Sequence, residues 1–507
     1  MWSKFTLDDL RTIAHYLGVL VAFSAVLYAP SFLTGIAFGE WEAAARYLFA
    51  AGVNLTVGMA LVFCRTTPGR LTQQQAIVVT GLAWVILALF ASIPLFQSGH
   101  YASYTDALFD GVSGYTTTGA CLVQDLDHLS NADNMFRFMM ILVGGLGLVV
   151  VALSLGLFGR GGGASLYASE GRSEHVVPSV VQTTRFIARI CVTFIAVSTV
   201  VIAIICLVSG MEPVRSFLHG LWLSITGFMT GGFAPTSQSV LFYHSLPLEI
   251  VLMILMLFGS LNFVMHDHIW KGNLLTFFRD LEIRTMVIWL LAITLIFAAA
   301  LCASTEQMSV FGMLRRGLFS VISCFSTTGL QNVSTNQLTT VFSSGAFLTL
   351  AMLMAVGGSA GGTSGGLKLY RVGIVFKSVA ATVKEALSPA SARVVVTYYH
   401  VGRHQLSHKT SREALTVFIL FVITYTLGTL VGVAYGYDAT QAIFESVAMA
   451  SNGGMTSGIV SAGMPLGLEL FYMLEMWAGR LEFITLIALV VSIGVSLKPK
   501  RRVRGEG

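Results

Sequence analysis

Four short strips of this chain combine hydroxyl side chains with glycine and hold no carboxylate. They are Thr116-Thr117-Thr118-Gly119, Met229-Thr230-Gly231-Gly232, Ser326-Thr327-Thr328-Gly329 and Ser451-Asn452-Gly453-Gly454. Such residues suit one chemistry: stripping water from a cation and replacing it with rings of backbone carbonyl oxygen. Glycine belongs there because, lacking Cβ, it lets the backbone take conformations that turn successive carbonyls toward one axis. Without Asp or Glu in any strip, a carboxylate ring of the divalent-cation type is disfavoured. Asp125, Asp127 and Asp133 follow the first strip. They are read either as a cation-attracting mouth or as ordinary solvated loop acids.

The strips sit at the ends of four similar segments: FDGVSGYTTTGA (109 to 120), WLSITGFMTGGF (222 to 233), FSVISCFSTTGL (319 to 330) and FESVAMASNGGM (444 to 455). Ten residues before the anchoring glycine stands Phe109, Trp222, Phe319 or Phe444, and six before it stands Ser113, Thr226, Ser323 or Ala448. Agreement at both positions in all four predicts an internal repeat. Each segment lies between two apolar spans and is too short to cross a bilayer itself. The repeat therefore reads as helix, half-helix, glycine loop, helix. Four half-helices with their carbonyl ends converging would favour cations over anions.

Two further features lie where apolar helix is expected. The run GGSAGGTSGG (357 to 366) holds Gly357, Gly358, Gly361, Gly362, Gly365 and Gly366, with Lys368 and Arg371 directly after it. That many glycines break a helix, at ~1 kcal/mol each relative to alanine. The P-loop spacing is absent, and the run is read as a flexible intramembrane barrier below the strips. Arg480, in MWAGRLEF, falls inside the last apolar span, where a charge is expensive and faces a cavity or a partner. It reads as a fixed positive charge below the strips, or as a structural partner of Glu475 or Glu482. Glycines at similar intervals after each strip, Gly144, Gly259, Gly357 and Gly479, fit close helix packing.

The elements that position these residues must lie in lipid. The 507 residues are 55% hydrophobic and 11% charged, with a mean hydropathy of +0.77, too apolar for a soluble domain. Spans are expected near 13 to 38, 46 to 64, 75 to 95, 135 to 158, 186 to 208, 247 to 265, 285 to 303, 413 to 436 and 468 to 495, with a tenth, glycine-broken span over 345 to 380. This arrangement puts all but six Lys and Arg on one side, the exceptions being Arg46, Arg137, Arg215, Arg315, Arg316 and Arg480. The positive-inside rule then makes that side cytoplasmic and places both termini there. The net charge of +5 thus belongs to topology rather than to nucleic acid. The six scattered cysteines read as small apolar residues rather than disulfides. The expected fold is an all-α membrane protein of four pseudo-repeats around a central pore. Its divisions are an N-terminal two-helix extension (1–70) and repeats over 71–160, 161–284, 285–385 and 386–507. No acid/base or metal constellation is evident within the spans, so an enzyme is not expected.

Through YTTTGA (115 to 120), GGLGL (144 to 148), STTGL (326 to 330), GGSAGGTSGGLKLYR (357 to 371) and AGRLEF (478 to 483), the chain resembles the Trk/Ktr/HKT superfamily of potassium transporters. The two additional N-terminal spans make the TrkH branch the nearer one. The resemblance implies a bacterial inner-membrane potassium uptake pore, with K+ as the transported ion and no covalent cofactor. It further implies a homodimer and a cytosolic TrkA-type regulatory subunit, which would carry any nucleotide (ATP/ADP or NAD). In that family the strip glycines form the selectivity filter, and glycine in the first strip accompanies potassium, as with Gly119. The glycine-rich run matches the family's gating loop and Arg480 its cavity arginine. Departures occur at Met455, where relatives commonly carry proline, and at Thr230-Gly231-Gly232-Phe233, where Asn-Ala-Gly-Phe is commoner. An alternating-access secondary transporter coupled to Na+ or H+ is the other reading. Its repeats would be inverted or paired halves.

Overall fold

In a computed structural model, residues 4–65, 71–147, 150, 180–302, 310–334, 342–389, 391–392 and 394–497 are described. Arg70, Arg160, Arg172, Arg393, the cations from Lys498 onward and the end of the span expected over 135–158 lie outside them.

Helices dominate because a bilayer leaves every backbone polar group to be satisfied within the chain. The N-terminal extension comprises α1 (Leu7–Leu27), continued by α2 (Ala29–Ala37), and α3 (Trp41–Val62). Gly18 and Gly58 let α1 and α3 touch backbone to backbone, since a Cβ on Gly58 would overlap Ala22.

Each repeat then runs through a long helix, a half-helix and a second helix. The first has α4 (Gln73–Phe96), α5 (Tyr104–Tyr115) and α6 (Asn131–Leu146). The second has α7 (Val180–Val208), α8 (Pro213–Phe228) and α9 (Leu246–Ser260), followed by α10 (Phe263–Trp270) and α11 (Leu274–Arg279). The third has α12 (Leu281–Cys302), α13 (Val310–Phe325), α14 (Ser344–Val356) and α15 (Leu369–Ala386). A short antiparallel hairpin, β1 (Thr397–His400) and β2 (Gly402–Gln405), precedes the first helix of the fourth repeat. That repeat holds α16 (His408–Ala434), α17 (Ala439–Ala450), α18 (Leu466–Arg480) and α19 (Ile484–Leu497). The hairpin is a small addition to the all-helical expectation.

The four half-helices are fixed at their starts by chemistry that differs between repeats. Ser103 caps α5 by accepting from the Asp106 N–H at 3.1 Å, and Asp438 caps α17 by accepting from Thr440 at 2.8 Å. Pro213 opens α8, where its missing N–H is harmless. The repeats close into a ring in chain order. α6 packs on α8, α9 on α13, α14 on α17 and α18 back on α5.

Among the described residues, six helices are long and apolar enough to cross a membrane, or up to eight if each bent pair counts as one span. The bent pairs correct the expectation of straight spans over 247 to 265 and 468 to 495. The chain bends by 108° between α9 and α10 and by 109° between α18 and α19. At the second bend Glu482 and Phe483 take left-handed backbone, with φ of +58° and +49°, and Glu482 is held in an ion pair with Arg371. All six cysteines are free, as expected, yet Cys64 and Cys302 are exposed rather than buried.

Candidate functional site

Directly after each half-helix the chain makes the same turn four times. Thr117, Thr230, Thr327 and Asn452 all lie in the left-handed region, at φ of +56°, +50°, +53° and +55°. Two residues on, Gly119, Gly232, Gly329 and Gly454 also have positive φ, at +86°, +79°, +83° and +55°. A non-glycine residue rarely adopts this region once. Four occurrences in register mark one designed backbone. Each turn is tied down alike, because the N–H of Thr118, Gly231, Thr328 and Gly453 donates to the carbonyl of Ser113, Thr226, Ser323 and Ala448, at 2.7 to 2.9 Å. The small residues aligned in the sequence are therefore the acceptors that anchor the strips. The four aligned aromatics are fully or nearly fully buried behind them.

The strips meet one another edge to edge. A Cβ on Gly119 would overlap the Gly231 carbonyl and Gly232, one on Gly232 the Thr328 carbonyl, one on Gly329 the Gly453 carbonyl, and one on Gly454 the Thr118 carbonyl. The ring is closed, and its tightest points are backbone against backbone, which is why glycine occupies them. Every hydroxyl or amide side chain in the strips is at least 99% buried.

The second helices carry their glycines for a related reason. A Cβ on Gly144 would overlap the Tyr115 carbonyl, on Gly259 that of Phe228, and on Gly479 that of Ala450. In each case this is the last residue of the half-helix, so the glycine lets the outer helix seat against that helix's end. The third repeat departs. Gly357 instead faces the Gly365 carbonyl, and Gly365 in turn faces Ser451. The glycine-rich run is therefore folded inward as an irregular segment wedged against the strips.

Its contacts are specific. The Thr363 hydroxyl donates to the Phe228 and Gly259 carbonyls at 3.1 and 2.9 Å and lies 3.1 Å from the Thr230 hydroxyl. The Gly365 N–H donates to Thr327 at 2.8 Å. Ala360 N–H donates to the buried carboxylate of Glu282 at 2.7 Å, and Lys368 donates to the Ser364 carbonyl. Arg480 joins the run to the strips: one guanidinium nitrogen donates to Thr117 and to the Thr363 carbonyl, both at 3.2 Å, and the other to the Gly144 carbonyl. A polar cavity of about 50 Å³ remains here, lined among others by Ser364, Gly365, Lys368, Asn452 and Arg480. Glu482 takes its ion pair from Arg371 and Glu475 accepts from Ser446.

The acids read as a mouth need correction at Asp133. It is 1% exposed, ion-paired with Arg46 at 2.9 Å and hydrogen-bonded by Tyr47 at 2.6 Å. It cannot act on ions outside. Asp127 accepts from the Ser237 N–H and hydroxyl, tying loops of two repeats, while Asp125 stays exposed beside His128.

Several residues here escaped the sequence. Asp110 and Arg137 form a fully buried ion pair, and Arg315 holds Glu249 bidentately at 2.7 and 2.9 Å. One signal was available: Asp110 and Glu445 both follow the aligned aromatic. Both carboxylates accept the N–H twelve residues on, from Leu122 at 2.9 Å and Ser457 at 2.7 Å.

A profile of the TrkH family, described as a cation transport protein, matches residues 48–495. Among individual relatives, an uncharacterized cation transporter of Methanocaldococcus jannaschii is 27% identical, covering 97% of both chains. The Trk system potassium uptake protein TrkH of Halomonas elongata is 28% identical over 95% of this chain and 98% of its own, and that of Escherichia coli K12 is 26% identical over 94% and 98%. The crystal structure of the potassium transporter TrkH from Vibrio parahaemolyticus superposes with a TM-score of 0.79 at 22% identity, covering 95% and 98%.

Proposed function

The chain belongs to the TrkH family of cation transport proteins, and on that premise we propose that it conducts potassium through the ring of four strips. The observation that carries this reading is the fourfold turn at Thr117, Thr230, Thr327 and Asn452, each followed by a glycine whose neighbour is the next strip's backbone. A ring of this kind offers oxygen in place of a hydration shell, and it is built without a single carboxylate. The names of the Halomonas and Escherichia relatives support potassium as the cargo. Gly119 matches the glycine that accompanies potassium in the first strip of the family, which supports potassium over sodium.

In this proposal the run from Gly357 to Gly366 is the gate, since its hydroxyl and amide contacts seat it against two strips at once. Arg480 is its latch and its electrostatic guard, lying between Thr117 and Thr363. Opening requires the Thr363, Gly365 and Arg480 contacts to break together. The irregular backbone makes that motion feasible, because no helical hydrogen-bond ladder has to melt. A cytosolic nucleotide-binding subunit of the TrkA type would supply the energy to shift this equilibrium, with the transporter as a homodimer in the bacterial inner membrane and both termini cytoplasmic. The proposed divisions remain an extension over 1–70 and repeats over 71–160, 161–284, 285–385 and 386–507.

The test is ion flux in proteoliposomes under imposed gradients. Rubidium and potassium should pass well ahead of sodium, and Gly119→Ser should narrow that gap. If the wild type passes sodium as readily as rubidium, or flux demands a proton gradient, the reading fails.

A further inference from the structure

A second site lies away from the ring, between the start of α12, the side of α15 and the β1–β2 hairpin. It is a cleft of about 830 Å³. Four cations line it, Arg279, Arg284, Lys377 and Arg403, and no carboxylate does. None of the four makes an ion pair among the described residues. Arg284 is held from behind, its Nε donating to the Phe278 carbonyl at 3.2 Å. Like charges gathered without a counterion repel one another at close range. Arg279, Arg284 and Arg403 are exposed, so their charges are open to an anion that enters the cleft.

The other wall argues for the anion's nature. Ile288 and Phe376 line the same cleft and stay 69% and 61% exposed. Ile288 lies on α12, one of the spans fit to cross the bilayer, with only 17% of its most apolar window buried in protein, and Phe376 lies on α15, where Val379 and Val383 are exposed as well. Trp289 also lines the cleft with its ring, while its indole nitrogen is shielded from solvent. It stands five residues beyond Arg284, hence about 7–8 Å further along α12. Arg284, with Ile288 and Trp289 four and five residues on, and Lys377, beside Phe376, set cations next to an apolar flank, as a phosphate sits next to an acyl chain in one molecule.

We propose that this cleft binds an anionic phospholipid, its phosphate at the arginines and an acyl chain along Ile288 and Phe376. Basic pockets between membrane helices recognise acidic headgroups in this way. The lipid would rest against Gly373 and Thr285, where α15 crosses α12. α15 is the helix that leads directly out of the glycine-rich run, so an occupied cleft would brace the segment that carries it. This inference is independent of which cation the protein conducts.

Native mass spectrometry of the purified, delipidated full-length protein tests it. Phosphatidylglycerol should be retained at concentrations where phosphatidylcholine is not. Arg284→Ala with Arg403→Ala should cut retention roughly tenfold, and Ile288→Asn, which makes the exposed apolar wall polar, should weaken it too. Lys409→Ala with Arg412→Ala, removing exposed cations elsewhere, should leave it unchanged. Melting temperature and elution volume establish that each variant is folded. Equal retention of the two lipids overturns the proposal, as does an equal loss in the control pair. Displacement by inorganic phosphate at the same concentration would mean a free-anion site. A change of oligomeric state in lipid-free detergent would mean that the face belongs to a second copy of the chain. Either result also overturns it.

Discussion

At the scale of single residues, burial decides which charges matter. Asp110 and Arg137 are both fully buried, and Arg137 also lies 4.2 Å over the Phe233 ring. Asp110 further accepts from Leu122 just past the first strip, so the pair braces that strip's outer exit. Arg137→Leu should destabilise the protein by about 3–5 kcal/mol, because it leaves a buried carboxylate uncompensated. Asp110→Asn in the same chain should restore much of that loss, and thermal unfolding in detergent checks both. Gly479→Ala tests packing in the same way. Its methyl would collide with the Ala450 carbonyl at the end of α17. The expected cost is about 1–3 kcal/mol, with altered rubidium-to-sodium flux because the fourth strip must shift. Gly494→Ala, where nothing lies near the added carbon, should change neither.

At the scale of elements, the informative one is the irregular segment between α14 and α15. It forms no helix: its two ends pair with one another, Leu367 and Lys368 donating to the Ala355 and Val356 carbonyls at 3.1 and 2.8 Å, and its middle is held by contacts to other repeats, which under the proposed gating makes its position an equilibrium. Thr363→Val keeps the shape and removes the hydroxyl that reaches Phe228, Gly259 and Thr230. Each lost bond is worth about 0.5–1.5 kcal/mol. A change of 1.4 kcal/mol is about tenfold in an equilibrium constant, so flux without any partner subunit should rise by roughly an order of magnitude. Glu282→Ala, which frees the Ala360 N–H, should act in the same direction. Equal or lower flux at normal protein levels would show that the segment does not limit conduction. The bend between α18 and α19 belongs with this element, since Glu482 at the bend holds Arg371 on α15.

At the scale of the whole molecule, the ring of repeats and the sidedness of the cations make one further prediction. Arg403 on the hairpin and His128 beside Asp125 should face opposite sides of the membrane. Single cysteines at these positions, in a chain whose six native cysteines are replaced, should react with an impermeant maleimide from opposite faces. Labelling of both from one side would contradict the proposed topology. The native thiols form no disulfide among the described residues, so their replacement should leave the fold intact.

The sequence by itself determined the membrane setting, the helical class and the register of the four strips. These depend on local quantities: apolar length, glycine placement and the recurrence of an aromatic and a small residue at fixed offsets. It also singled out the glycine-rich run and Arg480, because glycine-dense chain and a lone charge are anomalies within apolar sequence. Only the tertiary structure decided what those anomalies touch. Arg480 was equally able to seek Glu475 or Glu482, and the fold turned it to Thr117, Thr363 and Gly144 by bending the chain at Glu482 and giving that acid to Arg371. Asp133 read as a loop acid and became buried because α3, a distant element, carries Arg46 and Tyr47 to it. Pairing between repeats depends on which helix faces lie together in the ring. That is a non-local property, and no spacing along the chain records it.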